Sequence, residues 1–243
     1  MNKSSRPKYD TGINMIGSIP DFTEMISYLN AIHHGADHSF VFRTSHSTTT
    51  FKGAINSFLL QFVNNNHKKL FFDALESDLF SQQEKYLILF WQLTYSDYLF
   101  HRITDEVFMI AVYQGRASIQ GEEILAFLHY IKEQEPQNLT WSESTLKVVA
   151  SKYLTLLKKL GLVDGTVKKH ILHPLITNDL LVWFMRWCQL VCPDDRSIHN
   201  PYIRFGFMDD ETLVMRLKKI ENIQYWNISQ IGSNITIDLK PYE

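Results

Sequence analysis

The run from Tyr86 to Tyr98, Tyr-Leu-Ile-Leu-Phe-Trp-Gln-Leu-Thr-Tyr-Ser-Asp-Tyr, follows directly on Ser81-Gln-Gln-Glu84. A Ser three positions ahead of a Glu is the capping box that opens a helix. A helix lying on a protein surface shows one apolar stripe, but this one is apolar nearly all round. It has no side to give to water, so other elements must surround it. It is too short to span a bilayer, which takes roughly 20 apolar residues, and so is Leu180 to Val191, which Arg186 interrupts. The chain is therefore expected to build a soluble helical bundle around this segment.

Apolar periodicity supplies the surrounding helices. Asp21-Phe-Thr-Glu24 is a second candidate capping box, leading a face of Phe22, Met25, Ile26 and Leu29. Phe51, Ala54, Ile55, Phe58, Leu59 and Phe62 mark a helix capped near Ser47 or Thr48. Shorter helices are expected over 68–75, 103–113 and 122–131. The clearest helix is capped by Ser142 and buries Leu146, Val149, Ala150, Tyr153, Leu154, Leu157 and Leu160; Gly161 stops it. Val167 to Ile171 reads as a β-wing, and 178–191 and 210–220 as further helices. The end changes period: Tyr225 to Gln230 and Ile235 to Leu239 alternate as strands and form a hairpin across Gly232-Ser-Asn234. The fold class is mainly α, with two small helical lobes, the second winged-helix-like and ending in a β-hairpin. The expected division is a disordered tail 1–8, a lobe 9–133, a linker 134–138 and a lobe 139–243.

Charge is polarised beneath a net value of −2. Residues 70–135 hold 11 acids against 4 bases, whereas 140–173 hold 6 bases against 2 acids and 36–69 hold 4 against 1. Both basic segments have a Ser/Thr-rich entry followed by an amphipathic helix. Opposite the apolar stripe of the Ser142 helix lie Ser144, Lys147, Ser151, Lys152, Thr155 and Lys158, followed by Lys168 and Lys169 in the wing. Opposite the stripe of the earlier helix lie Thr49, Lys52 and Asn56. Hydroxyls, exposed N–H groups at a helix start and lysines a turn on are what phosphate contacts use. The same faces also suit plain solvation.

No catalytic motif is present: there is no GxGxxG, P-loop or GxSxG. His33, His34 and His38, and His170 with His173, lack Cys or carboxylate partners at ligand spacing. Trp183 and Trp187 read as core, and Cys188 and Cys192 as inert thiols in a reducing compartment. No enzymatic activity, metal or cofactor is expected. The polar start shows no signal-peptide pattern, so the expected location is the cytoplasm.

Leu139-Thr-Trp-Ser-Glu-Ser-Thr-Leu-Lys147, continuing to Leu156-Leu-Lys-Lys-Leu-Gly-Leu162, resembles the SESTxxK…LxxLGLL segment of BrxA proteins, components of BREX phage-resistance systems. Tyr9-Asp-Thr-Gly12 resembles that family's opening, Phe42-Arg-Thr-Ser-His-Ser-Thr-Thr-Thr50 its basic entry to a helix, and His173-Pro-Leu-Ile176 the stretch after the wing. The resemblance implies a two-lobed, mainly helical protein without catalysis that binds double-stranded DNA and associates with other BREX subunits. It carries over Arg43, Thr48 and Lys52, and Ser144, Thr145 and Lys147, as DNA contacts. His46 and Thr50 stand where further bases would strengthen the first segment. The inner-membrane label once given to the family conflicts with the short apolar runs above. The alternatives are a protein scaffold within the defence complex, which would bind no DNA at any salt, and a regulator acting on RNA or transcription.

Overall fold

A computed structural model describes residues 9–36, 45–232 and 234–241. The chain is mainly helical and forms two compact units, one of residues 1–61 with 74–173, the other of residues 62–73 with 174–243. The expected boundary at 134–138 lies inside the first unit. Apolar periodicity does stop there, but polar bonds take over. Glu135 accepts from Asn138 Nδ2 (3.1 Å), from Tyr9 Oη (3.2 Å) and from Arg102 (3.3 Å). The Arg102 guanidinium also donates to Tyr9 Oη at 2.9 Å and pairs with Glu106. These partners hold the Glu135 carboxyl below its usual range, the Asn138 hydrogen bond most of all.

The first unit opens with two helices, α1 (Gly12–Ile16) and α2 (Phe22–His33). Asp21 caps α2 as expected, though its carboxylate takes the N–H of Thr23, the second helical residue, at 2.7 Å. Helix α3 (Ser45–Phe58) starts earlier than Ser47 or Thr48, so Thr48 and Thr49 lie within it rather than cap it. Helix α4 (Asn65–Glu76) runs from the second unit into the first. Helix α5 (Gln82–Ser96) carries the full Ser81–Glu84 capping box, and its residues Leu87 to Thr94 are all buried. The buried Gln92 is satisfied because its Nε2 donates to the Leu59 and Gln61 carbonyls, both at 2.8 Å, in the segment that follows α3. Asp97 ends α5 and caps α6 (Tyr98–Ile103), which continues through a π turn at Thr104–Phe108 into α7 (Met109–Tyr113).

The rest of that unit sets two helices between short strands: β1 (Ser118–Ile119), α8 (Gly121–Gln134), α9 (Glu143–Lys159), β2 (Val163–Asp164) and β3 (Lys169–Ile171). The three strands form one antiparallel sheet in the order β1-β3-β2. β3 is shorter than the expected Val167–Ile171 and pairs on both sides, His170 facing Ser118 and Asp164.

The second unit centres on α10 (Asn178–Val191), capped by Thr177 and buried from Leu180 to Met185 and at Trp187 and Cys188. Trp183 and Trp187 are core residues, with rings 6.4 Å apart, and Trp183 Nε1 donates to the Leu70 carbonyl at 3.0 Å. Phe62, Phe71 and Phe72 cluster, and the Phe62 ring also meets the buried His67 edge-on. Burial pushes the Cys188 thiol well up, as suits an inert side chain. α11 (Asp210–Leu217) is capped by Asp209. β4 (Trp226–Ile231) and β5 (Asn234–Leu239) make the expected hairpin, with Gly232 at φ +62° in its turn. The strand pair β2–β3, where the wing was expected, is thus in the first unit and the hairpin in the second.

Candidate nucleic-acid interface

Helix α9 is positioned by three neighbours. α8 packs along it, α1 lies against it, and β2 follows it through Gly161 at φ +72°. The Ser142 hydroxyl takes the Thr145 N–H at 3.3 Å and lies 2.9 Å from Ser144 Oγ and 3.0 Å from Thr145 Oγ1. Hydroxyls thus cluster at the helix start, where the backbone dipole is positive. Beside them Glu143 faces His129 Nε2 (3.3 Å) and Lys132 Nζ (3.8 Å) of α8, and Lys132 donates to the Trp141 carbonyl at 2.8 Å. Those contacts fix the connection between α8 and α9.

One face of α9 is open. Ser144, Lys147, Val148, Ser151 and Lys158 are exposed, and Lys152 and Thr155 half-buried, while the expected apolar stripe is buried without exception. The six lysines of this segment serve different purposes. Lys159 Nζ donates to the carbonyls of Gly17 (2.8 Å) and Ile19 (2.5 Å). Desolvation, and then the charge of Lys152, lower its pKa to about 8. Lys158 Nζ donates to the Gly165 carbonyl at 3.0 Å and faces Asp164 at 3.3 Å. Lys169 Nζ donates to the carbonyls of Gly165 and Thr166, both at 2.8 Å. Three of the six therefore hold chain segments together. Lys147 and Lys168 are exposed on α9 and on the β2–β3 turn, and Val167 beside Lys168 is 93% exposed.

The earlier basic segment is only partly described. Arg43 lies outside the described residues, as does His38. On α3, Thr49 and Asn56 are exposed, Thr48 is half-buried, and Lys52 Nζ lies 5.3 Å from the centre of the Tyr28 ring. α1 packs against both α3 and α9, so the two basic helices belong to one unit instead of to separate lobes. Sequence reasoning missed that arrangement, and missed β1 as well. Two residues give no alternation to read, and the partner strand lies some fifty positions on. Among the described residues no group of three or more His, Cys, Asp or Glu could hold a metal ion, and His34 instead pairs with Glu76 at 3.0 Å.

These features define a mainly helical protein in which a helix with one exposed, lysine-bearing face and a three-stranded sheet belong to one unit, and a hairpin to the other. Over residues 70–186, a little under half of the chain, the sequence matches the BrxA family model, and this match supports assigning that region to the BrxA family. The matched region contains α8, α9 and the three-stranded sheet, and leaves out α3. No curated protein and no solved structure matches the chain. No helix among the described residues is long and apolar enough to cross a membrane.

Proposed function

We propose that this chain is a cytoplasmic, non-enzymatic DNA-binding component of a BREX phage-defence system, and that it grips duplex through α9 and the β2–β3 turn. The observation that carries this reading is the order of elements: α7, β1, α8, α9, β2 and β3, with strands arranged β1-β3-β2. That is the order of a winged helix, in which the third helix enters a groove and the strand pair flanks it. Here α9 is the third helix and the Asp164–Lys168 turn is the wing tip. Ser144, Thr145, Lys147 and Ser151 face the duplex, Lys152 borders it, and Lys168 reaches a neighbouring phosphate. Lys158 and Lys169 shape the wing. Thr48, Thr49, Lys52 and Arg43 form a second, weaker contact on α3 and the segment before it.

Lysine is a compact charge without the fork that reads guanine, and α9 carries no Arg. Binding is therefore largely independent of sequence. Fluorescence anisotropy with unrelated duplexes over a salt series tests this. The wild-type chain should bind all duplexes alike and weaken steeply with salt. Lys147→Glu with Lys168→Glu should weaken every duplex and flatten the slope by roughly one unit for each phosphate no longer neutralised. Unchanged binding by the folded double variant would move the binding surface away from α9, and Lys52→Glu would then test α3. Absence of binding at low salt would favour the scaffold.

A further inference from the structure

We propose that the outer edge of β4 and the groove beside it dock an extended acidic segment of another protein, which adds to the hairpin as a further strand. The proposal concerns the second unit alone and does not depend on the DNA reading.

Among the described residues nothing pairs with this edge, and the neighbouring strand fixes its hydrogen-bonding register. β5 is covered on its far side by residues 196–198: Ile198 N–H donates to the Ile235 carbonyl (3.1 Å), and Ile237 N–H to the Arg196 carbonyl (2.9 Å). Directly opposed residues of an antiparallel pair exchange both backbone bonds or neither. Ile237 faces Ile228 and Ile235 faces Gln230. Since Ile237 and Ile235 spend these groups on the far side, Ile228 and Gln230 must turn their own N–H and C=O away from β5. No described segment pairs with that side of β4. A guest strand gains affinity from such main-chain groups and specificity from alternate side-chain sites.

A groove of about 690 Å³ runs along this edge, with Trp226, Ile223 and Ile228 as its apolar lining and Lys218 and Lys240 beside them. No acid lines it. Both lysines bond neutral acceptors, Lys218 the Gln230 amide oxygen at 2.8 Å and Lys240 the Ile223 carbonyl at 2.7 Å, so their charge is not neutralised there. Charge selects the occupant. Two copies pairing through β4 would bring the positive charges of Lys218 and Lys240 from both chains beside one sheet edge, where like charges repel. An acidic strand with apolar residues at alternate positions meets attraction instead.

The test uses the full chain and a short fluorescein-labelled peptide of alternating Glu and Val, followed by anisotropy. Saturable binding is expected. A Lys-Val peptide should bind at least about tenfold more weakly, since specificity is a difference of affinities. The Glu-Val peptide N-methylated along its pairing edge should lose binding, and so should the Ile228→Pro variant with the unmodified peptide. Ile228 directs its N–H outward, so Pro there leaves the ladder to β5 intact. If that variant fails to fold, the N-methylated peptide decides the matter on the wild-type chain. Equal binding of acidic and basic peptides, indifference to N-methylation, or self-association that Ile228→Pro abolishes would each overturn the proposal, the last by showing a second copy to be the occupant.

Discussion

Lys147 and Lys159 stand twelve positions apart on α9 and do opposite work. Lys159 serves the fold, supplying donors to two α1-side carbonyls, and replacing it with Ala leaves Gly17 and Ile19 without them. Loss of such donors costs about 1–3 kcal/mol, so Lys159→Ala should lower the melting temperature measurably. Lys147 is exposed, and Lys147→Ala should stay within about 0.5 kcal/mol in thermal unfolding while weakening duplex binding. Like behaviour of both variants in both assays would refute this division of labour. Asp97 sets a second residue-scale expectation. Burial, assisted by the charge of Asp10, raises its carboxyl to about 7 while the side chain still caps α6 through the Phe100 N–H at 2.8 Å. A folded-state pKa above the unfolded one means that the folded chain holds the proton more tightly. This contribution is complete below about pH 4 and is lost as pH rises through about 7. Asp97→Asn keeps the cap, since Asn is as good at that position. Unfolding of the variant followed across that range should show a flatter decline, and an unchanged profile would assign the dependence to other groups.

At the scale of the element, the short helix α1 illustrates what pattern reading overlooks. It has only five residues, too few for a period to appear. Two glycines let it fit. A Cβ on Gly12 would lie 2.6 Å from the Phe58 ring of α3, and one on Gly17 would lie 2.8 Å from the Lys152 carbonyl of α9. Because that carbonyl belongs to a rigid helix, Gly17→Ala should cost about 1–3 kcal/mol by overpacking. Thermal unfolding measures this, and a neutral effect would show that α1 can shift away. The longer helices were legible because their stripes are continuous: all the expected apolar residues of α9 are buried, and the featureless α5 is the buried helix its composition demanded. Of the candidate site, the sequence placed Ser144, Lys147 and Lys168 on exposed positions. It did not show that Lys158 and Lys169 bond the β2–β3 turn, because such bonds depend on where a following loop folds back.

For the whole molecule, the decisive feature is that the second unit is not continuous in sequence. Residues 62–73 supply Phe71, Phe72 and the Leu70 carbonyl that accepts from Trp183. A fragment of residues 174–243 alone should therefore fail to fold, whereas one with 62–73 fused through a flexible linker should give a cooperative unfolding transition. Circular dichroism and heating distinguish the two, and a well-folded 174–243 fragment would contradict this division.

The sequence by itself determined the mainly helical class, the positions of the longer helices, the hairpin, and the family resemblance that the match over 70–186 bears out. These follow from local period, capping chemistry and short motifs, all of which lie within a few residues of one another. Tertiary structure alone decided that 134–138 joins two packed helices instead of separating lobes. It also decided that Ser118–Ile119 completes the three-stranded sheet, and that half the lysines of the basic segment bind carbonyls. Each of these outcomes depends on partners far along the chain, and burial and hydrogen bonding between distant segments leave no periodic trace in either one.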